Sequence, residues 1–172
     1  MKYDFSYWQF SPENQYLDRK SARKKPQELL KHLIAFANAD GGQLIIGIED
    51  EKQDNIITGF KDGKAYPIDD FKKIDREMRE TPLDLSFEEI PVVNHKGEDD
   101  LILVISVELS SNRVIAAPND EVYLRQGDES VKLSYEQRIQ LSYDKGQRFF
   151  EDEVIEDATL DDIDELLVQD FK

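Results

Sequence analysis

Two sets of side chains in this sequence have the types and spacing to do chemistry on phosphates. The first is acidic. Glu13, Asp18, Glu49 and Asp50 lie near predicted strand ends, where converging carboxylates hold Mg²⁺ or Mn²⁺ for phosphodiester cleavage. Along a regular strand Glu13 and Asp18 point to opposite faces, because their spacing is odd. They converge only if Glu13 sits in a turn or the strand bulges. In a chain with 38 acids such a set also arises by chance. The second set is basic. Arg19, Lys20, Arg23, Lys24, Lys25 and Lys31 face a single local acid, Glu28. With Arg125 from a later strand they could form a phosphate-contacting edge. The plain alternative is a solvated loop and helix start that balances nearby acid.

Other chemistries lack their residues. There is no G-x-x-x-x-G-K-[ST] run for a nucleotide P-loop, and no cysteine for a thiolate site or nucleophile. The two histidines, His32 and His95, are far apart and without metal-ligand spacing; His32 is expected on the solvent side of its helix. No strand-turn-helix serine elbow is visible. The turn from Asn38 to Gly42 is expected to be a helix C-cap and a packing joint. One glycine supplies the cap, and the second implies close approach of another backbone or a ligand. An anion is not favoured there, since the turn follows the negative end of a helix.

These groups must be positioned by a chain of 172 residues, enough for one well-packed domain. The net charge of −16 is concentrated in residues 151–172, which carry −9, leaving −7 for the rest. The field around a local basic patch therefore weakens and slows a nucleic-acid encounter without excluding it. The longest apolar run, residues 101–107, is too short to span a bilayer and is interrupted by Ser106. No signal-peptide core is seen, so a cytoplasmic protein without membrane contact is the expectation.

Periodicity predicts the elements. Tyr3, Phe5, Tyr7, Trp8 and Phe10 form an aromatic arm over residues 1–12, expected to pack on the core or a second subunit rather than to stack bases. A short strand is predicted over 15–20. A helix begins at Pro26 with Leu29, Leu30, Leu33, Ile34, Phe36 and Ala37 on one stripe, and a buried strand over 43–48 follows the glycines. A return strand is expected over 56–60 and a helix over 68–79. Strands are predicted at 85–93, on an edge because of Pro91, and at 101–107 and 121–125. Ser134 with Gln137 forms a capping box for a helix to about Lys145. Residues 149–172 read as an acidic linker and a last helix carrying Leu160, Ile163, Leu166 and Leu167.

The quoted segments resemble one family. Asp18-Arg19-Lys20, the helix end Ala35-Phe36-Ala37-Asn38-Ala39-Asp40-Gly41-Gly42, the strand Leu44-Ile45-Ile46-Gly47-Ile48-Glu49-Asp50 with Gly59 beyond it, and Pro118 with Val122-Tyr123-Leu124-Arg125-Gln126-Gly127 are similar to the Schlafen-type AlbA domain over about residues 13–140. The resemblance implies an α/β (α+β) fold, a mixed sheet with its central strands covered by helices, in a domain spanning 13–148. Asn38, Gly41, Gly42, Gly47 and Gly127 are its fold signature. It implies a nucleic-acid-binding domain, DNA first and RNA second, of a bacterial-type transcriptional regulator, with no cofactor. Residues 157–163 resemble the segment that leads into a further C-terminal domain in such proteins.

The Schlafen branch implies an alternative, a divalent-metal endoribonuclease using Glu13, Asp18 and Asp50 with Mg²⁺ or Mn²⁺. Asp18 stands there for a glutamate and Arg19 for an aromatic residue, and the paired arrangement of those enzymes would require a homodimer. The acidic surface and the aromatic arm suit a third reading, a protein-interaction or dimerisation module.

Overall fold

The computed structural model describes residues 5–50, 54–76, 78 and 82–146. Two nearly continuous apolar runs form the centre of its main sheet. In β2 (Gly42–Ile46) and β4 (Asp99–Val107), Leu44, Ile46, Leu103, Ile105 and Val107 enter one core, and Ile45, Ile102 and Val104 enter another on the opposite face. Both strands are therefore central. The sheet order is β1-β2-β4-β3, with β1 (Leu17–Lys20) parallel to β2 and β3 (Leu85–Val93) antiparallel to β4. Pro91 lies in β3 on the sheet edge, where its missing donor costs no ladder bond. The expected mixed α/β architecture is the observed one.

The larger core lies under α2 (Pro26–Asn38), whose buried Leu29, Leu33, Ile34, Phe36 and Ala37 face the sheet. The aromatic arm is a short helix, α1 (Phe5–Phe10), that covers the other face through Trp8. The indole Nε1 donates to Gln43 Oε1 at 2.9 Å, so its polar end is satisfied. Tyr3, in the same arm, lies outside the described residues, as do 149–172 with their predicted linker and helix.

Three expectations change. The predicted helix over 68–79 is only α3 (Ile68–Phe71), continued by turns in which Ile74 N–H donates to Phe71 O and Arg76 N–H to Lys73 O. Phe71, Ile74 and Met78 are buried all the same, because three-residue turns keep them on one side; residues 77 and 79 lie outside the description. The return strand over 56–60 shrinks to one bridge, Ile48 to Ile57. The strand over 121–125 becomes β5 (Tyr123–Gln126), paired in a separate hairpin with β6 (Glu129–Lys132), a strand too short for periodicity to separate from its turn. The capping box of α4 (Tyr135–Asp144) forms as expected, with Ser134 Oγ accepting from Gln137 N–H.

The Asn38–Gly42 turn joins these layers. Gly41 N–H donates to Phe36 O, closing the helix, and a Cβ on Gly42 would lie 2.5 Å from the Phe36 ring. Close packing against the chain's own ring thus accounts for the second glycine. Asn38 is buried; its Nδ2 donates to Ile115 O at 2.8 Å and Tyr123 O at 2.9 Å, and its Oδ1 accepts from Ile115 N–H at 2.8 Å. Asn38→Ala leaves these backbone groups unpaired and is expected to cost about 2 kcal/mol of stability, read by urea denaturation.

Candidate nucleic-acid interface

The end of β1 carries the acids and bases that the sequence singles out, and the fold sorts them into a buried cluster and an exposed edge. Asp18 is 1% exposed. Its Oδ2 accepts from Arg125 Nη1 at 3.0 Å and lies 3.1 Å from His32 Nδ1, while Lys20 Nζ donates to Oδ1. Burial opposes ionisation, but the hydrogen bonds and charge of His32 and Lys20 outweigh it and hold this carboxyl well below its usual range. Arg125 lies over the Phe36 ring and also donates to Asn14 O and Leu17 O. It clamps β5, α2 and β1 together.

Glu13 lies just before the Gln15–Tyr16 turn that the Asn14–Leu17 bridge closes, so the chain turns between Glu13 and Asp18 rather than running straight. Its Oε1 accepts from Arg19 N–H at 2.9 Å, and its carboxyl is pushed up by burial and by the charge of Asp18. Glu13 and Asp18 therefore meet. Asp50 does not join them. Among the described residues no group of three His, Asp or Glu side chains is placed to hold a metal ion, and Asp18 has cationic or histidine partners on both oxygens. One oxygen of Glu49 is engaged within the fold, its Oε1 accepting from Ser21 Oγ at 2.7 Å and Thr58 Oγ1 at 3.0 Å. The donor set does not fit the Mg²⁺ or Mn²⁺ centre of the nuclease reading.

His32 is a correction. It turns inward from α2 to Asp18, within 3.0 Å of Ser130 Oγ, rather than outward to solvent. The reason is a β6 serine opposite the helix, which the α2 stripe alone does not reveal. Burial is the largest influence on His32 and lowers its pKa, Lys20 and Lys31 adding to the depression and Asp18 opposing it. The unfolded chain therefore takes up this proton more readily, and acidification below the ordinary value of 6.5 favours unfolding. Asp18 acts in the same direction at lower pH: its contribution is present above 3.8 and is lost as pH falls through its depressed folded value. Glu13, raised from 4.5, acts oppositely and above that range: its contribution is gained as pH falls through its raised folded value and is complete below 4.5. Urea midpoints are expected to fall between about pH 7.5 and pH 5, and His32→Gln to flatten that slope.

The basic set also divides. Arg19 and Arg125 are buried and cannot present their guanidinium groups to a phosphate in this fold, a second correction. Arg19 Nε donates to Trp8 O and its Nη2 to Ser11 O, so this arginine fastens α1 to β1. The reason is local: β1 is covered by α1 on one face and by α2 and β5 on the other, leaving no solvent side for residues 17–19. Lys20 is half-buried and paired with Asp18. Arg23 is exposed but paired with Asp62. Lys24, Lys25 and Lys31 are exposed, and none makes an ion pair with a described residue. Of the signature glycines, Gly47 N–H donates to Lys20 O, and Gly127 N–H to Gln15 Oε1 beside the β5–β6 turn.

Among the described residues no helix is long and apolar enough to cross a membrane. The fold is similar to the crystal structure of the DIP2311 protein from Corynebacterium diphtheriae, with a TM-score of 0.53 and 21% identity, over 79% of this chain and 28% of that one. The chain thus spans less than a third of that protein's length. No curated protein matches it. The family model Schlafen, AlbA_2 matches residues 13–134, taking in the Asp18 cluster, the glycine joint and the Arg125 clamp; the chain belongs to the Schlafen AlbA_2 family.

Proposed function

We propose that this domain binds nucleic acid, with DNA the expected form, through the loop and helix start over residues 20–31, as the recognition part of a transcriptional regulator. Family membership implies a function related to nucleic acid. The observation that carries the finer reading is the state of the lysines. On a chain of net charge −16, Lys24, Lys25 and Lys31 stand exposed close together in sequence without an ionic partner among the described residues, while Lys20 and Arg23 of the same stretch are paired. Unpaired cations in a cluster keep their full attraction for phosphate, and binding them releases counterions. The regulator role rests on the resemblance of residues 157–163 to the segment before a further domain in such proteins.

The test is the affinity for a labelled DNA duplex across salt concentrations. An affinity that weakens steeply with salt, with a slope of log association constant against log salt of about −2 to −3 for two to three phosphate contacts, supports the reading. No binding at about 50 mM salt, for DNA or RNA, overturns it.

A further inference from the structure

Beside this edge the fold makes a groove of about 740 Å³. Its walls are the first two turns of α2, the segment 66–76 and the loop 117–123. Lys31, Lys73 and Arg76 line it, all exposed and without an ion pair to any described residue. The half-buried rings of Tyr66 and Tyr123 line it too. Tyr123 is held in place: its hydroxyl donates to Glu121 Oε2 at 2.5 Å, which pushes the phenol up to about 12 and the Glu121 carboxyl down to about 2, with Lys132 the larger influence on the latter. Glu121 is thus committed. Glu28 and Asp70, the other carboxylates on the groove, have no cationic partner among the described residues.

We infer that this groove holds one unstacked nucleotide unit, its phosphate on Lys31, Lys73 and Arg76 and its base against the tyrosine rings. The inference rests on the nucleic-acid reading and deepens it. The volume lies within the range of small-ligand sites. A purely anionic ligand would leave two aromatic rings unused and two carboxylates repelling it. An apolar ligand would strand the cations. A nucleotide matches all three kinds of group, since base faces stack on aromatic rings and exocyclic amines donate to carboxylates. A base paired within a duplex cannot enter such a groove, so single strands are preferred over duplex of the same sequence. Lys24 and Lys25, directly before Pro26, continue the cationic path for the adjoining phosphates.

The source of the nucleotide is either a single strand or a free mononucleotide, and titrations of the full chain distinguish them. The probes are a labelled single strand of about ten nucleotides, its duplex, and AMP and CMP. Two variants act on the groove without touching the buried core: K73E/R76E reverses its charge, and Asn119→Trp fills it from an exposed position. Expected are about tenfold weaker single-strand binding by each variant and less than threefold change for duplex. Mononucleotide binding lost in Asn119→Trp would assign the groove to free nucleotide, whatever the oligonucleotides do. Single-strand affinity unchanged in both variants but lost in K24E/K25E would overturn the groove and leave the edge reading standing. No binding of any probe overturns both.

Discussion

Replacing Arg125 by alanine is expected to lower the free energy of unfolding by about 3–5 kcal/mol. The guanidinium is fully buried, and five hydrogen bonds from it reach Asp18, Ser130, Asn14 and Leu17. Removing it takes the one permanent charge from Asp18 Oδ2, leaving only His32 at that oxygen, and strips donors from the carbonyls of Asn14 and Leu17. Lys20 and His32 remain on Asp18, but neither reaches from β5, so the β5–β6 hairpin loses its tie to β1. Breaking one side of a buried ion pair is costly for this reason, whereas replacing both sides is much less so. The double variant Asp18→Asn with Arg125→Ala should therefore lose less than the sum of the single losses. Chemical denaturation of the four proteins measures both quantities. A loss below about 1 kcal/mol for Arg125→Ala would mean that the clamp is not what holds the hairpin.

The second large effect is on binding. K24E/K25E reverses two exposed charges and is expected to weaken DNA affinity on the order of 100-fold at about 0.1 M salt. The slope of log affinity against log salt should flatten by about 2, one for each phosphate that the variant no longer neutralises. Stability should stay within about 0.5 kcal/mol, because neither lysine makes an ion pair with a described residue and both lie at the surface. Anisotropy titrations with matched denaturation curves separate the two. Equal loss of affinity from Arg125→Ala under conditions where that variant is folded would instead point to the buried arginine.

The glycine joint and the central strands are legible in the sequence because their patterns are local. A helix stripe ending at Gly41 and Gly42, followed by Leu44, Ile45 and Ile46, admits few other structures. Pro91 announces an edge, and Ser134 with Gln137 announces a cap. The candidate site is less legible, since charge says nothing about burial. Arg19 and Arg125 look the same in sequence as Lys24 and Lys25. Only packing on Trp8 and Phe36 converts the two arginines into internal clamps. His32 escapes its expected place because the stripe of α2 reports the face against the sheet alone, whereas β6 covers a further face of that helix through Ser130. Arg125 in β5 and Asp18 in β1 are 107 residues apart, and no local rule pairs them. The groove shares this origin, its three walls coming from separate parts of the chain.

The most direct measurement is a backbone amide footprint, recorded by NMR on the full chain as DNA is added. Shifts are expected to concentrate at residues 22–31, with single strands adding 66–76 and 117–123. Shifts centred instead on Glu13, Asp18 and Asp50, or on the α1 face around Trp8, would contradict the cationic edge as the place where nucleic acid binds.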